Sequence, residues 1–331
     1  PGIEARRLAL GAGTLGGPPS QAVELTHVSP QAMHADPGAW MGRGEPGDFP
    51  SDQRADDGAW LSFTSEPLAE RLELLGVPSL AVTVASDKPA ALIAVRVCDV
   101  APGGVSTLVT RGVLNLTHRD GHEVPVPLVP GERYAVEVAL SSVGIAIPAG
   151  HRLRVSVASA FWPAVWPSPE PVALTVVAGG ESALTLPVRT PRDEPEVPAH
   201  FAQPEEGPLP AVARGDVSHA RTLSRDVLTG RVDLVQESAT APTRLLADGL
   251  EFSSRDRDAW SIVEGDPLSA EVRCERTLTL ARGTWRTRVE AVATMTSTAD
   301  AFLLTNALDA YEGDERVASH HSSVSIPRDG V

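Results

Sequence analysis

Short runs of aliphatic residues, separated by turn signals, constrain the fold of this chain more than any other feature. The runs LAVTVAS, LIAVRVCDV, YAVEVAL, HRLRVSVAS and VALTVVA are divided by turns such as SDKPA, APGG, LVPGER and IPAG. In HRLRVSV, the residues Leu153, Val155 and Val157 fall on one face of an extended strand. No helical periodicity exceeds two turns, and the segment from Pro67 to Leu75 fits a short helix or a strand. Turns about ten residues apart predict an all-β sandwich or barrel.

A Pro-rich and charged stretch divides the chain into two β regions. Residues 187–216 carry almost no large aliphatic side chains, which is typical of a linker. Beyond it, VRCERTLTLARGTWRTRVEAVATM reads as two alternating strands around Arg282 and Gly283, and a second hairpin turns at residues 312–314. We therefore predict a jelly-roll, galactose-binding-like β-sandwich over 1–190, a linker over 191–216, and an antiparallel β domain with one polar face over 217–331. Few contacts are expected to cross the linker, so the two regions should unfold as separate units.

The segment from Thr26 to Gly58 lacks periodicity and is rich in Gly and Pro. Loops longer than about 15 residues are uncommon in compact domains and usually cover or bind something. This loop also carries apolar residues that a purely solvated loop would not need. An alternative is that the loop folds back over the edge of its own sandwich. With the two tryptophans of AFWPAVWPSPEP, the candidate interdomain contact residues are Met33, Trp40, Met41, Phe49, Trp162 and Trp166.

The composition excludes several classes of partner. The formal net charge is −15, which disfavours binding to nucleic acid and to anionic membrane surfaces. No apolar run approaches the ~18 residues of a membrane-spanning helix. The two cysteines, Cys98 and Cys274, lie in strand-like runs and are expected to be buried free thiols, not a disulfide scaffold. A cytoplasmic location and the absence of a cofactor are the corresponding expectations.

The stretch RGVLNLTHRDGH concentrates polar side chains at the end of a predicted strand. His118 and His122 would share a face on a helix, but the residues before them alternate like a strand. Because Asp120 and Gly121 read as a turn, we expect the two imidazoles not to converge. Structural histidines are favoured over metal ligands.

The motif SDQRADD offers three carboxylates, Asp52, Asp56 and Asp57, that could bind calcium. No Gly stands at the sharp-turn position of a calcium loop. An ion pair between Arg54 and one of the aspartates is the favoured interpretation.

Catalytic motifs are absent from the sequence. A serine hydrolase of the α/β type needs G-x-S-x-G, and Ser106 and Ser182, each preceded two positions earlier by Gly, lack the second Gly. GAGTLGG does not fit the dinucleotide pattern, and neither H-E-x-x-H nor C-x-x-C occurs. The sequence therefore assigns no catalytic, cofactor-binding or metal-binding residue.

Several longer segments resemble the cocaine esterase and X-Pro dipeptidyl-peptidase family, also called CocE/NonD hydrolases. They include PSDQRADDG, LSFTSEPLAERLELLGVPSLAVTVASD, AVRVCDVAPGGVSTLVTRGVLNLTHR and IPAGHRLRVSVASAFWPAVWPSPEP. The resemblance covers residues 1–190, and residues 217–331 resemble a C-terminal extension found in one subgroup.

In that family an α/β-hydrolase domain with a helical cap precedes the jelly roll and holds the whole Ser, Asp and His triad. The resemblance implies that this chain begins just after such a domain, so no triad residue is carried over to any position here. The expected function is that of the noncatalytic C-terminal part of a serine-type ester or amide hydrolase.

Two alternatives remain open at the level of sequence. A carbohydrate-binding jelly-roll module would use Trp162 and Trp166 as a stacking platform, and an enzyme could carry a site of its own. The expected partner is the chain's own N-terminal α/β-hydrolase domain, and homo-oligomerisation is left open.

Overall fold

The computed structural model describes residues 2–18, 21–32, 38–42, 44, 47–190, 200–203, 205, 207 and 210–331 of the chain. Within these ranges, almost all regular structure is β-strand. The exceptions are a four-residue helix, α1 (Arg54–Asp57), and a 3-10 turn over Leu116–His118. In the part of the chain that the structure describes, no helix is long and apolar enough to cross a membrane.

Thirteen strands build the first region. They are β1 (Ile3–Ala9), β2 (Thr14–Leu15), β3 (Val23–Val28), β4 (Leu61–Ser65), β5 (Leu72–Gly76), β6 (Ser79–Ser86), β7 (Leu92–Val100), β8 (Ser106–Asn115), β9 (Arg133–Ala139), β10 (Val143–Ile147), β11 (Arg152–Ala158), β12 (Ala173–Ala178) and β13 (Ala183–Arg189). Eight of them form a sheet in the order β10-β5-β13-β6-β12-β3, with β1 on β13 and β9 on β6. The other five form a second sheet in the order β2-β4-β11-β7-β8. Every pair is antiparallel except β2 with β4.

The two sheets pack face to face around one apolar core. The alternating residues Leu153, Val155 and Val157 of β11 are at most 1% exposed and enter this core, as the period of two predicts. The segment that fitted either a helix or a strand is a strand, β5, and its Leu72 and Leu74 also join the core. The prediction of an all-β jelly-roll sandwich is therefore confirmed, whereas the narrower galactose-binding-like assignment stays a prediction.

The five-stranded sheet is covered on its outer face as well. Strand β7 is buried at nearly every position, which a strand with one solvated face would not be. The cover includes a second apolar cluster, in which Trp60 and Ala59 pack against Ala94, Ala158 and Phe161. Residues that follow the long loop thus form a third layer over this sheet.

Nine strands form a single sheet in the second region. They are β14 (Ala211–Ala213), β15 (Ser218–Arg225), β16 (Arg231–Ala239), β17 (Thr243–Leu245), β18 (Glu251–Val263), β19 (Asp266–Arg282), β20 (Trp285–Ser297), β21 (Ala301–Glu312) and β22 (Glu315–Pro327). Their order is β14-β17-β18-β19-β20-β21-β22, with β16 also on β18 and β15 on β16. Both hairpins predicted from the sequence are present, and the second antiparallel β region is confirmed.

Apolar residues of this sheet pack against the sandwich. Trp162, from the turn after β11, is 4% exposed and lies in a shared cluster with Val232 and Ile262. The indole Nε1 of Trp166 donates to Ser297 Oγ at 3.0 Å, and its ring meets Phe302 edge-on at 5.8 Å. More contacts join the two regions than the sequence predicted, because the turn after β11 reaches the nine-stranded sheet.

Two further observations concern the boundary between the two regions. Strand β14 lies inside the expected linker but pairs with β17, so the end of the Pro-rich stretch belongs to the nine-stranded sheet. Near the C-terminus, Gly330 O accepts hydrogen bonds from Asn115 Nδ2 at 3.0 Å and from Thr117 Oγ1 at 2.6 Å. The boundaries at 190 and 216 stay a proposal.

Trp162→Ala should lower the free energy of unfolding by about 3 kcal/mol, because truncation of a buried Trp leaves a cavity. Trp285→Ala is the matched control, since Trp285 is 40% exposed at a hairpin end, and it should change stability by less than about 1 kcal/mol. Urea unfolding monitored by circular dichroism measures both. Equal losses in the two variants would contradict a packed interface between sandwich and sheet.

Candidate functional site

Arg96 holds the long loop against the sandwich. It lies in the middle of β7 on the outer face of the five-stranded sheet and has 0% exposed surface. Its Nη2 donates to Asp57 Oδ1 at 2.7 Å, and its Nη1 donates to Gln53 Oε1 at 3.0 Å and lies 3.6 Å from Asp56 Oδ2. Its guanidinium also lies 4.6 Å from the centre of the Trp60 ring. All four partners come from residues 53–60, so one strand residue fixes the end of the loop.

The carboxylates of SDQRADD are used in ion pairs. Asp57 also pairs with Arg154 of β11, so its two oxygens join neighbouring strands. Asp52 pairs with Arg54 at 2.6 Å, and the hydrogen bond from Arg54 holds the pKa of Asp52 below its usual value. Asp52 Oδ1 also accepts from Ser106 N at 3.2 Å. Over the described ranges, no group of three His, Cys, Asp or Glu side chains could hold a metal ion.

Arg96 is not among the residues predicted from the sequence, although its position in the chain indicates a buried ion pair. In LIAVRVCDV a lone arginine interrupts an otherwise aliphatic strand. An unpaired cation in such a position would cost several kcal/mol, so a buried carboxylate partner has to be supplied from elsewhere in the chain. The motif SDQRADD, which lies against β7 in the fold, supplies that carboxylate.

Three apolar side chains of the loop lie on the outside. Trp40 packs edge-on against Phe161 with ring centres 6.0 Å apart and stacks under Arg111 at 4.7 Å, yet it is 46% exposed. Met41 is 85% exposed and Phe49 is 74% exposed. Of the six residues expected at an interdomain contact, Met33 lies outside the described residues.

The loop is therefore neither wholly free nor wholly folded back. Residues 53–60 cover the sandwich, as the alternative interpretation expected, whereas Trp40, Met41 and Phe49 remain on the surface. We define these three residues as the loop patch.

The loop patch borders the nine-stranded sheet. A cavity of about 210 Å³ lies between them, lined by Gly38, Ala39, Trp40, Pro163, Ala164, Arg221, Leu234, Gln236 and Trp260. Arg221 of β15 also donates to Gly47 O of the loop. Sandwich, loop and sheet thus present one continuous surface around Trp40.

Trp162 and Trp166 are placed differently from the loop patch. Trp162 is buried, and the two indoles meet edge-on at 5.1 Å beneath the nine-stranded sheet. They contact another part of the same chain, so a stacking platform for sugar is not formed in this arrangement.

His118 and His122 do converge, so the expectation that they would point apart is wrong. Their Nδ1 atoms are 3.1 Å apart and their ring centres 5.3 Å apart. The reason is local. The chain leaves β8 into a 3-10 turn in which Asn115 Oδ1 accepts from Thr117 N, and Gly121, at φ +145°, reverses it.

Two serines and both cysteines are in unreactive settings. Ser106 and Ser182 are buried, and the hydroxyl of Ser182 donates to Val177 O at 2.7 Å. Burial raises the pKa of the Cys98 thiol to about 11, and burial with a hydrogen bond to Asp258 raises that of Cys274 to about 11. Cys98 is fully buried, as expected, whereas Cys274 is only partly buried.

Comparisons with known proteins point to one family. A family model described as "X-Pro dipeptidyl-peptidase C-terminal non-catalytic domain" matches residues 1–196, which is more than half of the chain. Proteins of Mycobacterium bovis and Mycobacterium tuberculosis, both named "Putative serine esterase", are 31% identical to this chain over 126 residues. That match covers 33% of this chain and 20% of each relative, so it spans about a fifth of their length.

Solved structures share the fold of the first region. An aminopeptidase from the marine sediment archaeon Thaumarchaeota archaeon superposes with a TM-score of 0.51 at 20% identity, over 56% of this chain and 37% of its own. An alpha-amino acid ester hydrolase gives a TM-score of 0.50 at 23% identity, over 56% of this chain and 36% of its own. At such identities the likeness concerns the fold alone.

Asp57→Asn should lower the free energy of unfolding by about 3 kcal/mol, because it leaves buried Arg96 without its closest carboxylate. Glu181→Gln is the control, since the Arg7–Glu181 pair at 3.2 Å is well exposed and should contribute less than about 1 kcal/mol. Denaturant unfolding and hydrogen exchange of residues 47–60 provide the readouts. An unchanged stability and exchange rate in Asp57→Asn would show that Arg96 does not hold the loop.

Proposed function

The chain belongs to the family of X-Pro dipeptidyl-peptidase C-terminal non-catalytic domains, and on that basis we propose that it is the noncatalytic part of a serine-type ester or amide hydrolase. In this role it packs against an α/β-hydrolase domain and shapes the rim of that domain's active site. The names of its relatives, a serine esterase, an aminopeptidase and an ester hydrolase, support acyl transfer to water as the reaction class.

The observation that carries this proposal is the loop patch. Trp40, Met41 and Phe49 are large apolar side chains with 46%, 85% and 74% exposure. The segment that bears them is anchored at its end by Arg96 and at Trp40 by Phe161 and Arg111. An exposed apolar surface on an anchored scaffold is typical of a protein contact site, and Met suits an adaptable contact.

The composition of the patch also fits a contact with a folded domain. Aromatic residues, Met and Arg are enriched at the centres of protein interfaces. Here Trp40 is backed by the Arg111 guanidinium, whose Nη2 donates to Ala39 O at 2.5 Å, so the indole is positioned before any partner binds. Such preorganisation lowers the entropy lost on association.

The side chains of the described residues indicate which of the two domains carries the catalytic triad. Ser106 and Ser182 are buried in the sandwich, and the sequence contains no G-x-S-x-G motif that would present another serine as a nucleophile. The catalytic triad is therefore assigned to the partner domain, and this chain contributes surface and orientation.

A carbohydrate-binding module is the weaker candidate, because Trp162 is buried and Trp166 packs on Phe302. The cytoplasmic location of the parent enzyme stays a proposal.

The isolated chain should show no esterase turnover of p-nitrophenyl acetate above buffer and no labelling by a fluorophosphonate probe, because its sequence lacks the nucleophile-elbow motif G-x-S-x-G. A protein that joins an α/β-hydrolase domain to this chain serves as the positive control. Stoichiometric labelling of any serine in residues 1–331 would contradict the proposed role.

In such a joined protein, the double variant Met41→Ser/Phe49→Ser should lower kcat/KM and the melting temperature by loosening the contact between domains. The control is Val227→Ser/Leu228→Ser, because both residues are 90% exposed in the β15–β16 turn and neither belongs to the loop patch. In the isolated chain neither double variant should change stability by more than about 0.5 kcal/mol, since all four side chains are already largely in water. Identical kinetics for the two double variants would exclude the loop patch as the docking surface.

A further inference from the structure

We propose that His118 and His122 form a bidentate site for a divalent transition-metal ion such as Zn²⁺, bound through the two Nδ1 atoms. The pair lies in the turn after β8, and nothing in the proposed hydrolase role requires it. His118 is partly buried and His122 is exposed, so an ion from solution can reach the space between the rings.

The distance between the two nitrogens matches metal chelation. Zinc binds imidazole nitrogen at about 2.0–2.1 Å in tetrahedral geometry, which places two nitrogen ligands about 3.3 Å apart. The observed Nδ1–Nδ1 separation is 3.1 Å, within the roughly 0.2 Å tolerance expected of a metal site. Nitrogen ligands of this kind suit Zn²⁺ and Cu²⁺, whereas Ca²⁺ and Mg²⁺ prefer oxygen.

The orientation of the His118 ring depends on this contact. Among the described residues, its buried Nε2 has no hydrogen-bond partner, so the Nδ1 atom makes the ring's polar contact. The same turn is held in place because Asn115 Oδ1 accepts a hydrogen bond from Thr117 N at 3.1 Å. His118 is thus preorganised on a structured turn, and the chain reverses at Gly121 so that His122 lies next to it.

The pair has two protein ligands, so water completes the coordination. No third His, Cys, Asp or Glu joins the pair in the described part of the chain, and Asp120 is 77% exposed and lies 3.4 Å from Arg119. Affinity should accordingly be moderate, of a kind suited to reversible occupation.

The location gives metal binding a structural consequence. Asn115 and Thr117, in the same turn, bind Gly330 O near the C-terminus. An ion that links His118 to His122 would close the turn across residues 118–122 and hold the segment to which Gly330 docks. Metal binding to the folded state alone raises its apparent stability.

The competing interpretation of the same geometry is an N–H···N hydrogen bond between the two rings. It requires one neutral imidazole to donate from Nδ1 and the other to accept at Nδ1. Titration with metal distinguishes the two, because a hydrogen-bonded pair alone provides no reason for stoichiometric binding at this position.

Isothermal titration of the chain with ZnCl₂ at pH 7.5 should give one site that is lost or weakened at least about tenfold in His118→Ala and in His122→Ala. His122 is exposed, so His122→Ala should fold normally and keep the test valid if His118→Ala does not. The matched control is His320→Ala/His321→Ala, which removes another pair of exposed histidines, on β22. CaCl₂ should not bind at this site.

A zinc-dependent rise in melting temperature should be present in the wild type and in His320→Ala/His321→Ala and absent in His122→Ala. No stoichiometric zinc binding, or equal affinity in wild type and His122→Ala, would overturn the proposal and leave the hydrogen-bonded pair.

Discussion

The position of the long loop depends on the Arg96 guanidinium, which has no exposed surface. A buried cation is tolerated only where carboxylates and hydrogen-bond acceptors surround it. Gln53, Asp57 and the ring of Trp60 supply that environment, all from one short segment. Folding of β7 therefore selects one placement for residues 53–60, and the third layer over the five-stranded sheet follows from it.

This constraint explains how an apolar surface remains exposed without collapsing onto the sandwich. The outer face of the sheet beneath the loop is already filled by Trp60, Ala94 and Phe161. Trp40 contacts Phe161 edge-on and the Arg111 guanidinium and is still 46% exposed, whereas Met41 and Phe49 stay largely in solvent. Meanwhile the Trp162–Trp166 turn occupies the neighbouring side by packing on the nine-stranded sheet. The exposed loop patch is what these two sets of contacts leave uncovered.

The sequence predicted which segments form strands, but it did not predict which side chains contact one another. Alternation in HRLRVSV and in the hairpin around Gly283 predicted the strands, because a period of two depends on neighbours in sequence. The contact of Trp166 with Ser297 joins residues 131 positions apart, which no local pattern encodes. The approach of His118 to His122 depended on a 3-10 turn and a glycine at φ +145°, and the strand-like run before them suggested the opposite.

The proposed role of this chain depends on the loop patch being a docking surface, and amide hydrogen exchange tests this most directly. Residues 38–42 and 47–52 would be compared in the isolated chain and in a protein that also contains the α/β-hydrolase domain. We expect slower exchange in these residues only when the catalytic domain is present, with residues 53–60 protected in both because Arg96 anchors them in either case. Equal protection of residues 38–42 in the two proteins would contradict the docking role and assign the loop to the sandwich alone.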